Sequence, residues 1–372
     1  MAGKRIKELD IIKGAGILLI SVIHLVYRPQ NGAADYLLRA AGWFLISVYL
    51  MMAGYSFSAG KRTPVQNYLH RLRTLVLPAV IIDAALFAVG GAYCALVHGY
   101  TFADWWHDLA VTALRPELCT HISPEWGSGG VLFNNISPSW FIWTMAFTEL
   151  VFFPAAQLCA RKGRTFRLCA VGALTAVQIP LYIFVSPLPH QLQLIPLFTA
   201  FMLIGAQLRD SGLLNREWRF NIPVTALIAV ICLAAHFGIF MLGGDESYYR
   251  GQLGYVGGFD ILLTLVQLPV GFAGYYALAV LAAKTRLLSR GLVWIGQHTL
   301  TILLCHCFFG MIAADILQTY IKPGPMWYVE NAGLTVTPEI FLRSLAGQIS
   351  AIACSCGIAV LRDRLTQRKT AP

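Results

Sequence analysis

"IIKGAGILLISVIHLVYRP", residues Ile11–Pro29, decides the fold. A hydrocarbon core about 30 Å thick needs roughly 20 apolar residues per helical crossing, and this stretch is long and apolar enough to be one. Yet it opens on Lys13 and carries His24 deep inside. An ionisable ring within a span is costly and faces a protein interior or a water-filled cavity. Two readings stay open on these residues alone. Lys13 snorkels to the headgroups while His24 hydrogen-bonds a neighbouring helix, or both serve a site.

The rest of the chain agrees that it lives in a bilayer. Hydrophobic residues make up 57% and charged residues only 12% of the 372, against about 25% charged in a typical soluble domain. A mean hydropathy of +0.63 excludes a water-soluble surface. Ten spans are expected, at 11–29, 38–58, 74–97, 138–157, 168–186, 193–208, 221–242, 256–283, 291–318 and 339–361. The expected class is therefore an all-α polytopic membrane protein. A single membrane domain is expected over 1–372, with a core at about 8–361, an external loop at about 98–137 and a cytoplasmic tail at 362–372. The external loop is the only sizeable piece outside the spans, and it is rich in Trp, Gly, Pro and Ser.

Charge tests this topology independently, because Lys and Arg concentrate in cytoplasmic loops. With these spans, 22 of the 28 basic residues fall on one side; only Arg28, Arg39, Arg115, Arg250, Lys322 and Arg343 fall on the other. Both termini are thus expected in the cytoplasm of a multi-pass plasma (inner) membrane protein. The net charge of +10 follows from this asymmetry and from anionic headgroups, with no nucleic-acid partner implied. "YRPQN" after the first span offers no small-residue cleavage site, so an uncleaved first span is expected. Nine cysteines form no CxxC pair. Eight lie in or beside spans and Cys119 stands alone in the outer loop, so no intramolecular disulfide is expected.

Lys13 and His24 are eleven residues apart, about 20° beyond three full turns, so one helix face carries both. The rise between them is roughly 16 Å. "NYLHRLRTLVLP" brings His70, Arg71 and Arg73 to the same cytoplasmic mouth, with Pro78 a turn inside the third span. Alone this is ordinary positive-inside charge; beside Lys13 it forms a cationic funnel for a phosphorylated ligand. In "VWIGQHTLTILLCHCFF", His298 stands near a helix entrance and His306 near mid-depth. Cys305, His306 and Cys307 are adjacent and point in different directions on a helix, so no metal site is expected. Asp83, Glu149, Asp260 and Asp315 are intramembrane acids, any of which can orient a His or partner a Lys.

These residues together resemble the acyltransferase-3 family of membrane proteins. "ELDIIKGAGILLISVIH" is similar to its first-span signature: Asp10, a basic residue three later, Gly, and a His eleven beyond the basic residue. "ISVYLMMAGYSFS" resembles its second span, ending in a small residue followed by Gly, and "HRLRTLVLP" its arginine-rich start of the third. "SPSWFIWTM" resembles its Trp-Phe span, with Trp140; "IPLFTAFMLIGAQLR" its Phe-and-Gly span; and "IGQHTLTILLCHCFF" its late Gly-x-x-Ser/Thr helix ending in His. The likeness runs in order from about residue 8 to 310.

The resemblance implies transfer of an acyl group, commonly acetyl, from acyl-CoA to a hydroxyl of a glycan or other small acceptor in the cell envelope. His24 is then the expected catalytic residue, with His306 as a second. Lys13, Arg71 and Arg73 are the expected donor-binding residues, and Asp10, Trp140 and Glu149 the supporting ones. Acyl-CoA is a co-substrate in this reading, and no tightly bound cofactor or metal is expected. Two departures from the family pattern stand out: Lys13 where Arg is usual, and Arg71-Leu-Arg73 for the two-arginine motif. His24 fits the role of a general base on the acceptor hydroxyl, since desolvation favours a neutral ring. The rival reading is a proton-coupled transporter or exporter with His24 as a proton relay. That class commonly shows paired broken helices from inverted repeats, and no convincing repeat is visible in this sequence.

Overall fold

The computed structural model describes residues 5–25, 33–99, 101–104, 106, 139–185, 188–215, 217–242, 258–316 and 338–370. Among these residues there are helices and turns and no strand. The α-helices are α1 (Lys7–Leu25), α2 (Ala33–Ser56), α3 (Pro64–Arg71), α4 (Leu77–His98), α5 (Ser139–Lys162) and α6 (Arg164–Phe184). They continue as α7 (Ile195–Asp210), α8 (Ile222–Leu242), α9 (Gly258–Ala283), α10 (Arg286–Gln297), α11 (Thr299–Ile316) and α12 (Pro338–Thr370).

Six described helices are long and apolar enough to cross a membrane: Pro64–Val97, Phe141–Lys162, Leu192–Asp210, Ile222–Phe240, Leu262–Ala283 and Leu345–Arg364. The pair Arg286–Gln297 and Thr299–Gly310, taken as one broken span, makes a seventh. The protein is an all-helical polytopic membrane protein. The first two expected spans correspond to α1 and α2. α1 carries Lys7, Glu8, Asp10 and Lys13 in its first two turns, and in α2 the apolar stretch among described side chains is Phe44–Ser56.

Local chemistry sets the elements that matter for the site. α3 starts at a capping box: Gln66 N–H donates to Thr63 Oγ1 (3.2 Å) and Thr63 N–H to Gln66 Oε1 (3.0 Å), with Pro64 at the first helical position. Between Arg71 and α4 the helix widens into a π turn, Leu72–Val76. Pro78 follows at once, and a proline lacks the N–H that an α-helical ladder requires of it. A single π turn absorbs that irregularity without ending the helix. The expected ninth span, 291–318, is instead two helices that break at His298.

The chain divides into two compact units. The first comprises 1–16, 39–72 and 144–297. Its most extensive helix pairs are α8 on α9 and α6 on α7. Its core includes Leu45, Val48, Leu50, Phe152, Phe198 and Phe201. Two close backbone approaches hold it together. A Cβ on Gly54 of α2 would lie 1.9 Å from the Met202 carbonyl oxygen of α7, and one on Gly205 1.8 Å from that of Met51. The same reciprocity joins α1 to α10: a Cβ on Gly14 would lie 2.1 Å from the Leu292 oxygen, and one on Gly296 2.0 Å from that of Asp10. Such small-residue contacts let helix backbones meet where lipid removes any hydrophobic drive for association.

The second unit comprises 17–38, 73–143 and 298–372. α11 packs along α12 and against α4, with Leu86, Cys94, Cys305 and Phe308 at a shared apolar cluster. Polar contacts tie α12 at two levels. Gln348 and the Ser21 hydroxyl of α1 are 3.1 Å apart. Farther along, the His298 ring donates from Nε2 to Asp363 Oδ2 (2.6 Å) while Arg362 Nη1 donates to Thr301 Oγ1 (2.7 Å).

Candidate active site

The ionisable residues of α1, α3 and α5 meet within the first unit. At the start of α1, the Arg5 guanidinium donates to both oxygens of Asp10, Nε to Oδ2 at 2.5 Å and Nη2 to Oδ1 at 3.1 Å. Asp10 is buried at 4% exposure. Its hydrogen bond raises the Arg5 pKa further above its ordinary value, so the partner of the buried carboxylate stays charged.

One turn on, Lys13 lies within electrostatic reach of Asp10, Arg5 and Arg71. Tyr49 of α2 donates its hydroxyl to the Lys13 carbonyl (2.7 Å), which fixes the backbone that carries the ammonium. The Gly14 and Gly296 contact fixes the same turn of α1 against α10.

Arg71 ends α3 and donates from Nε to Glu149 Oε1 at 2.7 Å. Glu149 projects from α5 and is 2% exposed; its second oxygen, Oε2, has no hydrogen-bond partner among the described residues. Removing Arg71 leaves this buried carboxylate uncompensated, at a cost of about 3–5 kcal/mol. Three cations and two buried carboxylates therefore share one region, with the ammonium of Lys13 and the terminal nitrogens of Arg71 making no hydrogen bond to described residues. A cationic fork beside an ammonium can chelate phosphate oxygens.

Of the residues expected at the site, Asp10, Lys13, Arg71 and Glu149 are thus brought together. Arg73 is exposed on the π turn and belongs to the second unit. His24 lies in α1, one residue before its end, and Trp140 in the first turn of α5; their side chains lie outside the described residues. So do the side chains of Asp260 and Asp315, and the whole of the expected external loop beyond Trp106. His306 is fully buried in α11, donating from Nδ1 to the Ile302 carbonyl (2.9 Å), with Nε2 3.3 Å from the Cys307 sulfur. Among the described residues no three His, Cys, Asp or Glu side chains cluster to hold a metal ion.

Three residues escaped the sequence reading. Arg5 and Tyr49 have no one-dimensional signal, since their partners lie on a turn or a helix that only the fold brings near. His236 did carry one: it sits mid-span in "LAAHFGIF", as His24 does in its own span. It is fully buried in α8, its ring 4.4 Å from that of Phe44 and close against Gly271 of α9.

A family model described as an acyltransferase domain matches residues 6–359. The chain is a member of the acyltransferase-3 family. The match takes in α1 through the first two-thirds of α12, and so every helix that builds the cationic cluster. No curated protein and no solved structure matches the chain. Four glycines within the stretches that carried the family resemblance, Gly14, Gly54, Gly205 and Gly296, are the ones at the close backbone approaches among the described residues. As an acyltransferase-3 protein, this chain is a membrane acyltransferase.

Proposed function

We propose that the protein transfers an acyl group from an acyl-CoA ester, acetyl-CoA foremost, to a hydroxyl of a glycan or other small acceptor. The observation that carries the donor class is the Glu149-bound Arg71 at the end of α3, with Lys13 of the second turn of α1 within electrostatic reach of it. In this reading Lys13, Arg71 and Arg73 hold the donor phosphates. The pantetheine arm extends along the face of α1 shared by Lys13 and His24, a rise of roughly 16 Å.

His24 then takes the proton of the acceptor hydroxyl as its oxygen attacks the thioester carbonyl. The carbon–sulfur bond breaks, and the CoA thiolate leaves and recovers that proton from the imidazolium. His306 and Trp140 assist by positioning. The deciding experiment incubates the purified protein with acetyl-CoA and follows free CoA with and without a candidate glycan. Acceptor-dependent CoA release supports the proposal. Its absence with every hydroxyl acceptor favours the transporter reading.

Two further outcomes are expected. Lys13→Ala raises the KM for the acyl donor, while Lys13→Arg preserves or lowers it, because an arginine adds a fork where lysine is a point charge. Arg71→Ala and Arg73→Ala act in the same direction, and their losses combine non-additively if one phosphate group is shared. An unchanged donor KM in Lys13→Ala removes Lys13 from the donor site. The proposed setting is a plasma membrane with both termini in the cytoplasm, so an impermeant thiol reagent applied to intact cells labels Cys119. Labelling only after the cytoplasm is opened reverses the topology.

A further inference from the structure

The guanidinium of Arg71 has three edges, and the fold engages it in a particular way. Its Nε donates to Glu149, and neither terminal nitrogen is hydrogen-bonded by a described residue. The Arg71 side chain remains one-third exposed, at 32%, while that of Glu149 is nearly sealed, at 2%. The rigid partner is therefore the acid. It stands on the long helix α5 and is bonded to the last residue, Arg71, of a short helix, α3, whose continuation is a π turn.

We propose that Glu149 is a positioning residue: it grips Arg71 by Nε so that the two terminal nitrogens form a preset fork for a phosphate of the acyl donor. The inference rests on the donor class proposed above and adds how a chain with lysine at position 13 obtains two-pronged phosphate recognition. Lysine presents a compact ammonium that cannot make two parallel hydrogen bonds in one plane. An arginine free to rotate can make them only after losing the entropy of a long side chain, and a clamp at Nε removes much of that loss beforehand. Lys13, within reach of Arg71, then adds charge to the same phosphate without having to define its orientation.

The variants that test this change the acid. Arg71→Ala strands a buried carboxylate and risks the fold, whereas Glu149→Ala releases an arginine that already reaches solvent. Two donors separate positioning from structure: acetyl-CoA, and S-acetylpantetheine, which has the thioester and arm but no phosphates. Glu149→Ala raises the KM for acetyl-CoA on the order of tenfold and leaves kcat/KM for S-acetylpantetheine at the wild-type value. Glu149→Gln keeps an acceptor for Nε–H and falls between, about threefold. In an Arg71→Lys background, which has no Nε to grip, Glu149→Gln adds nothing.

Equal losses on both donors, in a wild type that prefers acetyl-CoA, overturn the positioning role and leave the proposed function standing. No change on either donor overturns it too. A wild type that uses both donors equally well overturns the inference together with the phosphate-binding reading of the site. If Glu149→Ala is poorly folded by its thermal midpoint in detergent, Glu149→Gln carries the same comparison.

Discussion

Alanine at position 24 is expected to abolish acyl transfer while the protein reaches the membrane at its normal level. General-base catalysis contributes about 10²–10⁴-fold, and the loss should fall on that scale. Glutamine is the informative companion. It keeps a polar group of similar reach but cannot take a proton at neutral pH, so a catalytic His24 leaves His24→Gln almost as inactive as His24→Ala. A packing role reverses the order: glutamine restores the hydrogen bond and turnover, and alanine lowers the yield of folded protein. His306→Ala supplies the comparison inside the same unit. The His306 ring spends its Nδ1 proton on the Ile302 carbonyl of its own helix, so its loss should cost less activity than that of His24. Initial rates with acetyl-CoA, normalised to monodisperse protein, distinguish these outcomes.

The second large effect is on folding. Gly205→Ala forces a methyl carbon to within 1.8 Å of the Met51 carbonyl oxygen, and Gly54→Ala does the same to Met202 at 1.9 Å. The obstacle in each case is backbone, which has no rotamer with which to yield. Overpacked cores usually cost about 1–3 kcal/mol, and here α2 and α7 must separate along their contact, which places the cost at or beyond the upper end. Each variant is expected to lose most of its monodisperse protein in detergent. Gly172→Ala and Gly357→Ala are matched controls, because a Cβ at either meets nothing within 4 Å. They should be neutral or slightly stabilising, as alanine is favoured over glycine within helices by about 1 kcal/mol. Normal yield and thermal midpoint for Gly205→Ala would contradict the close approach.

The membrane class, the basic clusters and the candidacy of Lys13, Arg71 and Glu149 were all legible in the sequence, because each depends on composition or on spacing along one helix. The pairing of Arg71 with Glu149 was not, since 78 residues separate them and four acids were equally eligible. Which side of each helix faces protein was also hidden. In a soluble protein the outward face turns polar, but here Leu96 at 86% and Phe184 at 81% exposure are as apolar as the fully buried Phe152. Hydrophobic periodicity fades when the solvent is itself hydrocarbon. The break at His298 escaped for a related reason: hydropathy runs nearly unbroken from α10 into α11, and hydropathy does not register a change of direction. Resemblance to a family supplied the role proposed for His24, which no spacing rule could have assigned.

The glycine contacts bear on how such a protein can change over time. At the crossing of α2 and α7 the atoms that touch are main-chain atoms of Met51 and Met202, and every residue type possesses those. Drift at both methionines leaves the crossing intact so long as the two glycines persist. A handful of positions can therefore preserve the helix arrangement while most of the chain is rewritten. Two acyltransferases of this kind can share an architecture and almost no side chains, and a sparse pattern of small residues will trace their kinship better than overall likeness does.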